Sequence, residues 1–121
     1  MRSDKKNLIV ELTFEFSIKI ISFSEQIRDI KKFEMASQIF RSGTSIGANV
    51  REAQNAESKA DFIHKLKISA KEADELFYWL KLCEASKHYP APKQELFQEL
   101  ESITLILSKI IGTSKRSKSS N

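Results

Sequence analysis

The chain has 121 residues, 40% hydrophobic and 30% charged, which suits one globular domain and not two. Three Gly and two Pro are too few for the turns of an all-β fold; the lone Cys83 excludes a disulfide framework or a Cys-based zinc site, and two histidines leave little for a metal enzyme. The net charge of +4 is unevenly spread, with +3 in residues 112–121, +4 in residues 1–71 and −3 in residues 72–111, so any field arises from clustering and not from the total.

The first predicted helix spans about residues 5–31. Ile9, Leu12, Phe16, Ile20, Phe23, Ile27 and Ile30 recur at steps of three and four and form one apolar stripe. Glu15 and Lys19 are spaced for a favourable i,i+4 pair. A second apolar row, Val10, Phe14, Ile18 and Ile21, lies off that stripe and needs another partner. It packs either at a subunit contact or inside its own bundle against the fourth helix.

The second helix, about residues 34–56, keeps the same spacing at Ala36, Ile39, Gly43, Ile46, Val50 and Ala53. A glycine inside a helix costs about 1 kcal/mol relative to alanine. Gly43 and Gly47 are therefore expected at a close helix crossing. Ser58 followed by Asp61 has the form of a helix start with its return partner. The third helix then runs to about Ser86 on a stripe of Ile63, Leu66, Ala70, Ala73, Phe77 and Leu80. Ile68, Trp79 and Leu82 form a separate face beside it. Pro90 and Pro92 divide it from a fourth helix over about residues 93–111, apolar at Leu96, Leu100, Ile103, Leu107 and Ile110. Gly112 is expected to end that helix, leaving 112–121 as a disordered basic tail beyond a 1–111 bundle. Four long helices with short connections define an all-α, antiparallel up-down four-helix bundle.

No window reaches the roughly 18 apolar residues of a membrane span. Glu11 and Glu15 interrupt the only stretch that could form a signal core. A cytoplasmic protein with no membrane partner is the expectation.

Catalytic chemistry finds little support. A dimetal carboxylate bundle needs two inward Glu-x-x-His pairs, and Asp61-x-x-His64 is a single distant imitation. The run SGTSIGAN lacks the Gly-Lys-Ser/Thr of a phosphate loop and sits inside a helical pattern. Ser45, His64 and Asp61 have the residue types of a hydrolytic triad, but any chain of this length supplies those by chance, and only geometry would establish one. The chain is read as a non-enzyme with no cofactor and no metal. Asn49, Glu52 and Glu72 lie near apolar rows and are read as an internal polar network before a ligand cluster, because buried polar groups need partners. Arg41, Arg51, Lys59, Lys65, Lys67 and Lys71 form the candidate nucleic-acid-binding group. Interspersed Glu57, Asp61 and Asp74 allow an ordinary solvated surface instead.

Between Gln38 and Leu80 the sequence QIFRSGTSIGANVREAQNAESKADFIHKLKISAKEADELFYWL carries a longer pattern. Ser45, Ile46, Asn49, Val50, Glu52 and Ala53 make one helical signature. Phe62, Leu66, Ile68 and Ser69 follow, then Lys71, Glu72, Glu75, Tyr78, Trp79 and Leu80. In this pattern the chain resembles the bacterial 23S rRNA intervening-sequence proteins, described as four-helix bundle proteins. The resemblance implies a left-handed up-down bundle assembled into a homopentamer without catalytic activity, with the signature residues Ser45, Ile46, Asn49, Glu52 and Glu72 structural. The family is similar in turn to the accessory proteins of diversity-generating retroelements, basic pentamers that bind a reverse transcriptase and nucleic acid. A homo-oligomer that associates with RNA or DNA, with Phe14, Ile18, Ile21 and Trp79 at subunit contacts, is the resulting expectation. A protein-binding adaptor with no nucleic-acid affinity is the alternative, favoured by a body of net charge near neutral.

Overall fold

A computed structural model describes residues 7–117, and among them every regular element is a helix. The elements are α1 (Leu8–Asp29), α2 (Phe33–Ala53), α3 (Lys59–Ala85) and α4 (Gln94–Arg116). They form a four-helix bundle in which α1 packs on α2, α2 on α3, α3 on α4 and α4 on α1.

Local chemistry explains the boundaries. Asn7 caps α1 by accepting the Val10 N–H, and its own amide donates to Gln54 at the end of α2, 3.0 Å away. At the other end of α1, the Lys31 N–H donates to Arg28 O and the Lys32 N–H to Ile27 O. These two bonds form a Schellman motif, and Lys31 holds the left-handed position at φ 66° that glycine usually fills. Ser58 starts α3 as expected, its hydroxyl accepting the Asp61 N–H at 3.0 Å. The Asp61 carboxylate returns to the Glu57 N–H, one residue earlier than the usual reciprocal partner.

The core is built from Ile9, Phe16, Ile20, Phe23 and Ile27 of α1, Ala36, Ile39, Ile46, Val50 and Ala53 of α2, and partners from α3 and α4. Gly43 lets α1 and α2 meet: a Cβ there would overlap Cγ2 of Ile20 and stand 3.0 Å from its Cβ. One turn on, a Cβ at Gly47 would stand 3.2 Å from the Thr13 carbonyl. The close crossing inferred from the two glycines is present.

Three expected features differ. The buried stripe of α3 is Leu66, Ser69, Ala73, Leu76, Leu80 and Cys83, not the row through Ile63, Ala70 and Phe77. The helix is rotated toward α2, where the buried Ser69 hydroxyl donates to the Ile46 carbonyl at 2.8 Å and so can be placed inside. On α1, Ile30 is exposed and Leu12 only half-buried at the edge of the core, because the stripe closes on Thr13 and Ser24, whose hydroxyls bond backbone carbonyls of their own helix. Finally, α4 does not end at Gly112 but continues to Arg116. Its extension is supported by basic residues in the last turn, which suit a helix C-terminus. The Lys59 ammonium also donates to the Ser117 carbonyl at 2.5 Å. Residues 118–121 of the expected tail lie outside the described residues.

Candidate nucleic-acid interface and assembly surfaces

The six basic residues singled out in the sequence divide into two kinds. Arg41 is held by carboxylates of α3, with Glu75 at 2.5 Å and Glu72 at 3.4 Å. Lys65 pairs with Glu52 at 2.9 Å, and that hydrogen bond raises the lysine pKa. These two cations and the signature residues Glu52 and Glu72 therefore join α2 to α3 through a pair of ion-pair bridges, each partly exposed. Asn49 completes the set within α2, donating to the Ser45 carbonyl at 2.8 Å. The polar network is thus a lateral helix-to-helix brace and not a buried cluster. Ile46 of the same signature is fully buried.

Arg51, Lys67 and Lys71 are exposed, and among the described residues none of them has a carboxylate at ion-pair distance. They do not share one face. Arg51 points from the side of α2 that adjoins α1, whereas Lys67 and Lys71 lie on the outer side of α3 with the exposed His64. One further cation comes to α3 from a place the sequence had assigned to a loose tail. The continued α4 brings Lys115 beside Lys67, and this second ammonium lowers the Lys67 pKa. Arg116 folds back over Gly112, its guanidinium 3.4 Å from where a Cβ would stand. Lys59 reaches the same end through Ser117.

Of the second apolar row of α1, Val10 is half-buried against the core, while the other three residues are outside the bundle. Phe14 is 63% exposed, Ile18 52% and Ile21 38%, so packing against α4 is not their role. Phe40 and Phe33 are exposed on the adjoining α2. Trp79 lies on α3, half-buried, with its indole N–H donating to Glu75 at 3.2 Å. It borders a shallow groove of about 620 Å³ with Phe33, Met35 and Tyr89. The expected i,i+4 pair of Glu15 with Lys19 does not form; Lys19 instead reaches α4, bonding Glu99 and, at 3.4 Å, Glu95. Both glutamates raise its pKa, Glu99 foremost.

Among the described residues no group of three His, Cys, Asp or Glu side chains could hold a metal ion. Cys83 is buried in the core, and burial pushes its thiol pKa up to about 11, which keeps it protonated and a poor nucleophile. No helix among the described residues is long and apolar enough to cross a membrane.

A small helical bundle with an ion-pair brace and outward apolar rows is the class that this geometry defines. Comparison with known proteins narrows it. Residues 5–112 match the family described as 23S rRNA-intervening sequence protein, and the chain belongs to that family. It is also similar to a protein of unknown function from the S23 ribosomal protein family of Bacteroides thetaiotaomicron, known from a crystal structure. The two are 39% identical, with a TM-score of 0.82 over 88% of this chain and 96% of the other. No curated protein matches the chain.

Proposed function

We propose that this protein is a non-enzymatic, cytoplasmic, homo-oligomeric scaffold, an up-down bundle assembled as a pentamer, that associates with structured RNA or other nucleic acid. The observation that carries the nucleic-acid reading is the division of its cations. Arg41 and Lys65 are committed to carboxylates, while Arg51, Lys67, Lys71 and Lys115 have no such partner among the described residues. Unpaired cations are the ones that release counterions from a phosphate backbone, and each contact steepens the salt dependence of binding. Membership of a family described by a ribosomal RNA intervening sequence agrees with this reading.

Assembly is supported by the exposed row Phe14, Ile18 and Ile21, which a single bundle leaves in water. That row lies on α1 and Trp79 on α3, two helices that do not pack against each other. Contacts between two different patches of this kind are head-to-tail, and they close into rings when the rotation between subunits permits.

Anisotropy titrations of labelled structured RNA and duplex DNA, at low and moderate salt, test the function. The full chain is compared with one ending at Gly112. Binding that falls with salt is expected from the full chain and, more weakly, from the shortened one. Absence of binding to both nucleic acids would replace this reading with the protein-binding adaptor. The ion pairing of Arg41 and Lys65, which reduces the free charge of the body, favours that second reading.

A further inference from the structure

We propose that Lys67 of α3 and Lys115 of α4, with Lys59 beside them, form a two-helix clamp for the backbone phosphates of a nucleic-acid strand, so that the last turn of α4 is part of the binding site. This inference rests on the nucleic-acid reading above and names where and how the ligand is held.

Lys59, Ile63 and Lys67 follow one another at four-residue steps along the edge of α3 that faces α4. Ile63 is half-buried, and Ile110 and Ile111 of α4 pack against the core, which fixes the two helices relative to each other at this level. The bond from Lys59 to the Ser117 carbonyl ties down the end of α4. Lys115 is thereby brought against Lys67, two like charges side by side. Neither has a carboxylate at ion-pair distance among the described residues, unlike Lys19, Arg41, Lys65 and Lys81, which all do. Such a pair is unfavourable alone, and an anion between the two ammonium groups converts the repulsion into two charge-assisted hydrogen bonds.

The shape of the charge selects the ligand. From Lys59 to Lys71 the cations extend along α3 for about 18 Å at 1.5 Å per residue. A small phosphate would engage one pair and leave the rest idle, whereas a strand presents a charge at every nucleotide. The acidic residues around the stripe lie at its margins. Asp61 is turned back to the Glu57 N–H, and Asp74 stands about one turn beyond Lys71. Tyr78, 60% exposed a further turn along the same outer face, is placed to stack on a base at the end of the strand. Recognition of this kind reads backbone and not sequence.

The test uses the full chain and a labelled RNA hairpin in anisotropy titrations across salt. Lys67→Ala/Lys115→Ala is compared with Lys87→Ala/Lys93→Ala, an equal loss of charge at the exposed connection between α3 and α4. The clamp variant should weaken binding about tenfold and lower the log–log salt slope by roughly 1.4–1.8, two contacts at about 0.7 each on a single strand or about 0.9 each on a duplex. The control should lose less than about twofold, and both should keep their helical circular dichroism. Equal losses in the two variants would overturn the clamp while leaving nucleic-acid binding in place. No binding by the unaltered chain would overturn both.

Discussion

Gly43 is where single atoms decide the packing of α1 on α2. A Cβ there meets Ile20, a β-branched residue whose rotamer is stiff in a helix, so the neighbour cannot simply turn away. Alanine would gain about 1 kcal/mol in helix propensity, but overpacking costs about 1–3 kcal/mol. Gly43→Ala should therefore be destabilising, by up to about 2 kcal/mol in urea unfolding; a stabilised variant would refute the close crossing. This crossing was legible because the glycines at 43 and 47 break helix propensity without ending the helix. Lys31 was not legible. It takes a left-handed position with no glycine to announce it, and only the Schellman hydrogen bonds reveal the turn. The ion pairs were likewise hidden. Lys19 had a correctly spaced partner in Glu15 yet joins Glu95 and Glu99, because partners on a neighbouring helix leave no trace in local spacing.

Between elements, number and type of helix followed from the three-and-four periodicity, and so did most of the core of α1, α2 and α4. The face of α3 did not. It carries apolar residues on several sides, and the row through Phe77 is as regular as the row through Leu76. Its inward side is chosen by Ser69 and Cys83, small residues whose burial depends on a hydrogen-bond acceptor or on fit and not on hydrophobicity. The end of α4 shows the converse. Gly112 has the look of a helix stop, but no glycine has positive φ, and α4 runs through it. An added Cβ would find only the flexible Arg116 head group, at 3.4 Å. Gly112→Ala should thus stabilise the protein or raise its helicity, by up to about 1 kcal/mol. A loss of helicity would show that α4 ends at residue 112. The paired substitutions at 43 and 112 have opposite signs for one reason, the presence or absence of a packed neighbour.

For the whole molecule, the candidate site was partly legible. Charge clustering identified Lys59, Lys67 and Lys71, but it also included Arg41 and Lys65, which brace α2 to α3, and Arg51, which lies on another side. It left out Lys115, because a Ser/Lys-rich end with no apolar residues gives no reason to expect a helix. The apolar row of α1 was recognised from its angular offset alone, and Phe14, Ile18 and Ile21 are indeed exposed, the surface that the proposed assembly would cover. Assembly gives the scaffold its purpose in this account, since repeated copies of a modest basic stripe bind one strand with far higher avidity than a single copy.

Light scattering on a sizing column, with the protein and its Phe14→Glu variant run side by side, tests that claim most directly. Five protomers of 13.9 kDa should give a species of about 70 kDa for the unaltered protein, and the variant should fall to smaller species with its helical circular dichroism intact. A mass near that of one protomer, or a variant that keeps the size of the parent, would contradict the account.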